Sequence, residues 1–276
     1  MTPSGAGATF RPSTVKIVVC AKQVIDPETP LSAFRIDPDL MRVVAAPGVP
    51  PVVNGFDENA TEAALRIKDA SGASVTVLSV GDRFAMDVIK KPVSMGADDL
   101  VLVQAPELAD LDAFATAYVL SRAVEVLGAD LILCGRQASD WDNAQVPLIL
   151  AEMLDVACLP FAQDVTVDGG TVRAERVLAS GYEEIEADLP AVVTVSNELG
   201  PPRYPTLRGI MAAGRKQPNV MSPHDLGLDA DRLAPRCALE ELYVPESSRL
   251  CEFIEGESGA DSGRLLALRL REEGLI

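Results

Sequence analysis

Two stretches of the chain bring together residue types that bind phosphate. The first, LILCGRQASDWDNAQVP, runs from Leu131 to Pro147. Its apolar run ends at Gly135. Arg136, Gln137, Ala138, Ser139, Asp140, Trp141, Asp142 and Asn143 follow, then Ala144, Gln145 and Val146 lead into an apolar helical pattern. The second stretch, Asn54-Gly55-Phe56-Asp57, opens a helix in which Ala60, Ala63, Ala64 and Ile67 recur at helical spacing. Glycine at a strand end permits a sharp turn. A helix start offers unpaired N–H groups and the positive end of the helix dipole, both of which favour an anion. Arg136 is suited to neutralise a phosphate, and Gln137 and Gln145 to hydrogen-bond one. Asp140 and Asp142 add negative charge, so one is expected to cap the helix and the other to bind ribose hydroxyls or point outward. The same residues also suit a plain strand–turn–helix connection, and at this point both readings stand.

Catalytic constellations are missing. The single histidine, His224, stands in Ser-Pro-His-Asp, where a surface or capping role is expected. The chain contains no G-x-S-x-G, Walker A or G-x-G-x-x-G motif and no Cys/His spacing of a zinc site. No catalytic residue and no metal ligand is therefore assigned, which points to a binding or carrier protein. Five cysteines (Cys20, Cys134, Cys158, Cys237, Cys251) form no C-x-x-C pair and no even disulfide set. Cys20 and Cys134 end apolar runs and read as small buried hydrophobes, and the cytoplasm is the expected compartment. A net charge of −17 repels nucleic acid and anionic membranes, and aromatics at 4% leave little for base stacking. No apolar run approaches the roughly 20 residues that span a bilayer, so no membrane insertion is expected.

The elements that must position these residues alternate. Strands are expected at Val15–Cys20, Ser74–Val80, Asp99–Val103, Leu131–Cys134 and Ala191–Val195, with helices opening at Asn54 and spanning Ala113–Leu127 and Asp142–Leu154. Glu62 and Arg66 make an i,i+4 pair. Another helix carries Met86, Ile89 and Val93 and is bent or shortened by Pro92. Short strands are expected around Phe34–Asp37 and Arg42–Val44. A hairpin region follows at Gln163–Val167, Val172–Val177 and Tyr182–Ala187, turning at Asp168-Gly169-Gly170. Strand–helix alternation implies α/β architecture: a three-layer parallel sheet with both faces covered. Residues 1–14 are expected to be a disordered extension, 15–215 the α/β domain, and 216–276 an extended arm ending in a helix at Leu265–Arg271. In such a sheet ligands bind beyond the carboxyl ends of the strands, where strand order reverses. Cys20, Val80 and Gly135 sit at three such ends.

VKIVVCAKQVIDP, NGFDENATEAALRIKD, VTVLSVGD, SMGADDLVLV, LILCGRQASDWDNAQV, LPAVVTV and PPRYPTLRGIMAA together resemble the beta subunit of electron transfer flavoprotein, over roughly residues 15–275. The resemblance implies an adenine-nucleotide alpha-hydrolase-like (Rossmann-like) fold, with the 216–276 arm packing on an alpha subunit that carries the redox FAD. It implies AMP, or a second FAD at the same site, on this chain. Its contacts then fall at Cys20, Asn54, Gly55, Phe56, Asp57, Val80, Gly135, Arg136, Gln137, Ala138, Asp140, Asp142, Asn143, Ala144, Gln145 and Val146. It also implies a recognition loop at about 203–212 that holds an acyl-CoA or other flavin dehydrogenase, with Leu207 as anchor and Tyr204, Ile210 and Met211 beside it. Electrons would pass on to a quinone oxidoreductase or another acceptor. A bifurcating version would take NADH and a second FAD, and Cys134–Ala138 is more similar to those members. A stand-alone ATP-binding protein of the same fold would need S-G-G-x-D-S where this chain has Ala21-Lys22-Gln23-Val24-Ile25-Asp26. The chain departs from the family at Pro147, where glycine is common, and at Trp141, expected to shade the pocket mouth.

Overall fold

The computed structural model describes residues 14–30, 33–39, 41–44, 48–244 and 251–276. The extension expected at residues 1–14 lies, except for residue 14, outside the described residues. In chain order the elements are β1 (Lys16–Cys20), β2 (Gln23–Val24), β3 (Arg35–Asp37), β4 (Arg42–Val44), β5 (Val52–Val53), α1 (Gly55–Ser71), β6 (Ser74–Gly81), α2 (Met86–Ile89), α3 (Lys91–Met95), β7 (Asp99–Gln104), α4 (Ala113–Leu127) and β8 (Leu131–Gly135). They continue with α5 (Val146–Leu154), β9 (Ala157–Asp168), β10 (Thr171–Leu178), β11 (Gly181–Asp188), β12 (Ala191–Val195), α6 (Leu207–Arg215), β13 (Asn219–Met221), α7 (Ala230–Leu233) and α8 (Gly259–Glu272).

The main sheet has nine strands in the order β11-β10-β9-β12-β8-β1-β6-β7-β13. Every pair from β9 through to β13 is parallel, while β10 and β11 extend the sheet as antiparallel neighbours. The sheet is therefore mostly parallel, and the expected hairpins belong to it. Alternate residues of each strand enter two different cores. Ile17, Val19, Val75, Val77, Leu131 and Leu133 pack against the Ala60, Ala63, Ala64 and Ile67 stripe of α1. Val18, Cys20, Leu78, Ile132 and Cys134 pack against α4 and α5. The alanines of α1 let the helix lie close to the sheet. Cys20 and Cys134 are buried, free, and opposite each other in the β1–β8 ladder, as small hydrophobes would be. Hydrogen bonding with Cys20 and burial push the Cys134 thiol well above its ordinary value, which keeps it protonated.

Three elements differ from the expected spans, each for a local reason. The helix expected to start at Asp142 starts at Val146, because Asp142 and Ala144 take left-handed φ values of 51° and 54° that no helix accepts. Pro147 falls in its first turn, where a missing N–H breaks no helical bond. Strand β9 begins at Ala157, six residues before the expected Gln163, because a bulge with Phe161 at φ 61° breaks the alternation that would have revealed it. Helix α8 starts at Gly259 because the Ser258 hydroxyl caps it by accepting from the Asp261 N–H. Pro92 stands in the first turn of α3, and the region splits into α2 and α3 because its ring has no N–H to continue the α2 ladder and clashes with the carbonyl four residues back.

Within the stretch after residue 215, β13 supplies the edge strand beside β7, and Leu226 is buried in the α4–α5 core. The Tyr118 hydroxyl accepts from the Asp229 N–H, and the Asp112 carboxylate caps α4 while accepting from the Arg236 N–H. The Arg232 and Arg236 guanidinium groups stack on Tyr118 and Phe114. Residues up to about 237 are thus strapped to α4. No described helix is long and apolar enough to cross a membrane. Leu226→Ala is expected to cost about 2–5 kcal/mol in denaturant unfolding. A loss below about 0.5 kcal/mol, the level of a surface change, would mean that this segment is not part of the core.

Candidate functional site at the carboxyl edge of the sheet

β1 and β8 lie side by side at the centre of the sheet. From β1 the chain crosses by α1 to β6, and from β8 it leaves on the other face by α5, so the switch point lies between their carboxyl ends. Helix α1 starts in that crevice. The Asp57 carboxylate is buried there, with Oδ2 accepting from the Lys22 N–H at 2.8 Å and Oδ1 from the Gly135 N–H at 3.1 Å. One side chain therefore joins the ends of both central strands to the first turn of α1. Burial pushes the Asp57 carboxyl up to about 7, opposed by those two N–H groups, the Asn54 amide and the Lys22 charge.

Gly135 has a different reason from the expected one. A Cβ on it would stand 2.3 Å from Asp57 Oδ1 and 2.7 Å from Phe56 backbone and side-chain carbons. Its bare Cα makes room for the first turn of α1. Asn54 precedes α1 but does not cap it with its side chain. Its Nδ2 donates to the Gln137 carbonyl at 2.8 Å and its Oδ1 accepts from the Ser139 N–H at 3.3 Å. The loop after β8 is thereby tied to the α1 N-terminus. The Asp57 and Glu58 N–H groups are taken by the Asn54 carbonyl, while those of Gly55 and Phe56 have no acceptor among the described residues. In the loop tied to Asn54, the Ser139 hydroxyl is buried and has no partner among the described residues. Unpaired donors at a helix start and an orphaned hydroxyl suit a phosphate oxygen.

Neither aspartate of the loop takes the cap that was expected. Asp140 is held by the Lys22 ammonium at 2.7 Å, and Asp142 accepts from Gln137 Nε2 at 2.7 Å. The Ala138 carbonyl closes a turn by accepting from the Trp141 and Asp142 N–H groups. The charge of Asp140 is thus neutralised within the chain. Arg136 is engaged within the chain: its guanidinium lies 5.4 and 5.5 Å from the Phe56 and Phe161 ring centroids, its Nε donates to Gln137 Oε1 at 3.3 Å, and it bonds the Ser196 hydroxyl. Ser196 in turn donates to Glu198, and that bond together with Arg136 holds the Glu198 carboxyl below its ordinary value.

The crevice brings together Asn54, Gly55, Phe56, Asp57, Gly135, Gln137, Ala138 and Asp140, with Cys20 at the adjoining end of β1. Val80 is half-buried at the end of β6. Asn143 and Gln145 are exposed on the way to Val146 and make no side-chain hydrogen bond among the described residues; Trp141 is 56% exposed. Ser139, Lys22, Phe161 and Ser196 were not on the expected contact set. Ser139 and Lys22 carried a signal, since both flank residues that were. On another edge of the domain, Tyr204, Leu207, Ile210 and Met211 are exposed at 92%, 75%, 52% and 54%. Thr206 caps α6, so Leu207 opens that helix.

Residues 42–226 match the family model for the electron transfer flavoprotein domain. The chain belongs to the electron transfer flavoprotein beta-subunit family. It is 38% identical over 246 residues, 88% of this chain and 93% of the relative, to an electron transfer flavoprotein subunit beta of Thermoanaerobacterium thermosaccharolyticum. It is 40% identical over 215 residues, 75% of this chain and 78% of the relative, to that of Megasphaera elsdenii. Subunit CarD of the caffeyl-CoA reductase–Etf complex of Acetobacterium woodii is 32% identical over 267 residues, covering 95% of this chain and 100% of CarD.

The raised Asp57 value has a signed consequence. Between its ordinary 3.8 and about 7 the folded protein holds a proton that the unfolded chain has lost. The Asp57 contribution to stability therefore falls as pH rises through that window and levels above it. The unfolding free energy of wild type relative to Asp57→Asn is expected to decline from pH 4 to pH 7. A difference that grows with pH would show that Asp57 is ionised throughout.

Proposed function

We propose that this chain is the beta subunit of a heterodimeric electron transfer flavoprotein and that it holds AMP in the crevice between β1 and β8. The observation that carries this reading is the cluster of unpaired donors there: the Gly55 and Phe56 N–H groups and the buried Ser139 hydroxyl. These groups would hold the phosphate, and the first turn of α1 adds its dipole. Asp57 keeps the Lys22 and Gly135 backbone in place, and the Lys22–Asp140 pair lowers the local negative charge. Because the Arg136 guanidinium already bonds Gln137 and Ser196, backbone donors and dipole would take the anion-binding role that was first expected of it.

The alpha subunit would carry the FAD, which supplies the one- and two-electron chemistry when bound. This chain's residues do no redox step of their own. They hold the nucleotide, shape the interface and receive the donor, an acyl-CoA or other flavin dehydrogenase, on Tyr204, Leu207, Ile210 and Met211. The exposed Leu266, Leu268, Leu275 and Ile276 in and after α8 would pack on the alpha subunit. The acceptor would be a quinone oxidoreductase or another electron acceptor, and the compartment the cytoplasm.

One observation favours a second reading. CarD, alignable over its full length, is a subunit of a caffeyl-CoA reductase–Etf complex. By that analogy a second FAD would replace AMP in the same crevice and NADH would be oxidised. Coexpression with the alpha partner followed by release and quantification of the bound nucleotides separates the two. One FAD and one AMP per heterodimer is expected, two FAD with no AMP would establish the second reading, and a complex without flavin would overturn both.

A further inference from the structure

Helix α1 has a second grip besides the one at its N-terminus. Asn59, Glu62 and Arg66 lie at spacings of three and four residues and therefore share one face. Asn59 Nδ2 donates to the Gly200 carbonyl at 2.8 Å, and Arg66 bonds the Leu199 carbonyl at 3.4 Å. Glu62 does more. Its side chain is only 7% exposed. It accepts the Arg203 N–H at 3.0 Å, Arg203 Nε at 2.8 Å and Nη2 at 3.2 Å, and Arg66 Nε at 3.1 Å. The remaining Arg203 nitrogen, Nη1, reaches Asp69 at 2.9 Å, about two turns further along α1. A single carboxylate thus takes both the backbone and the planar fork of Arg203.

The segment held this way leads directly into the exposed apolar residues. Tyr204 follows Arg203, and Leu207 opens α6 three residues later. Downstream, Gly209 packs so closely on α3 that a Cβ would stand 2.2 Å from the Ser94 carbonyl oxygen. The stretch from Tyr204 to Arg208 is therefore fastened at both ends, to α1 by Glu62 and to α3 by Gly209, and its large side chains are left outward. An exposed tyrosine and leucine on an unfastened loop would lose more conformational entropy on docking than ones already held. Nothing at the nucleotide crevice needs Glu62, which makes no bond to any residue there.

We propose that Glu62 is a positioning residue for partner recognition: acting through Arg203, it fixes the backbone that presents Tyr204 and Leu207 to the donor dehydrogenase. The inference rests on the reading of that surface as the donor-docking face. Burial raises the Glu62 carboxyl and its bonds to Arg203 and Arg66 lower it, with a net downward result, so it is ionised at neutral pH.

The test uses the heterodimer, with Glu62→Gln, the conservative Arg203→Lys and Leu207→Ala beside wild type. Two readouts are taken: amide hydrogen exchange over residues 199–211, and steady-state kinetics with the heterodimer as electron acceptor of an acyl-CoA dehydrogenase reduced by its acyl-CoA. Glu62→Gln is expected to speed exchange at 203–208 about tenfold or more. It is expected to raise KM for the heterodimer about tenfold, the scale of losing one anchoring contact, with kcat and bound nucleotide unchanged. Arg203→Lys keeps the charge but not the fork, and should give a smaller rise in both. Unchanged exchange at 203–208 in Glu62→Gln would overturn the proposal. So would an unchanged KM in Glu62→Gln while Leu207→Ala raises it. If instead exchange rises in Glu62→Gln but KM is unmoved in Leu207→Ala, the docking reading itself falls and the clamp remains as a purely structural device.

Discussion

The Asp57 carboxyl group is buried where the two central strands end and α1 begins, and the surrounding site follows from how its two oxygens are satisfied. Its two oxygens take the N–H groups of Lys22, two residues past the end of β1, and of Gly135, the last residue of β8. A buried carboxylate without such donors would be costly, and donors in that position would be equally costly without an acceptor. The mutual need fixes the distance between the strand ends and brings the α1 N-terminus into the gap. It also explains why position 135 is glycine: any side chain would occupy the space of Phe56 and Asp57.

With that junction closed, the remaining groups sort by charge. Asn54 sends its amide to the loop after β8 instead of capping α1, so the Phe56 N–H that such a cap could take joins the Gly55 N–H in having no acceptor among the described residues. Asp140 is matched by Lys22, Asp142 by Gln137, and Arg136 by Gln137, Ser196 and two aromatic rings. The crevice thereby keeps backbone donors and a hydroxyl, with Asp140 neutralised by Lys22 and Asp142 held by the Gln137 amide. On the proposed reading, such a site would hold a nucleotide through backbone donors rather than through charged side chains. Helix α1 serves two ends of the molecule, because the residues that grip 199–203 stand on the helix whose first turn lines the crevice.

Much of the fold was legible in the sequence because its signals are strong. The parallel strands are short continuous Val/Ile/Leu runs, and α1 shows its alanine stripe. The crevice was legible as a set of strand ends and helix starts, which is why Asn54, Asp57 and Gly135 were found. Their roles were not legible. Gly135 is required by the first turn of α1, and Arg136 meets Phe161, a residue whose strand was hidden by a bulge and a left-handed φ. The start of α5 was misplaced because Asp142 and Ala144 adopt left-handed backbone that an aspartate and an alanine do not advertise. The Glu62–Arg203 clamp joins residues 141 apart, and its i,i+4 pairing with Arg66 gave no hint of the longer reach.

The most direct test is a structure of the heterodimer with its nucleotide bound. The phosphate should accept from the Gly55 and Phe56 N–H groups and from the Ser139 hydroxyl, with Asp57 still bonded to the Lys22 and Gly135 N–H groups. A phosphate seated on Arg136 or on the start of α5, with the α1 N-terminus unengaged, would contradict it.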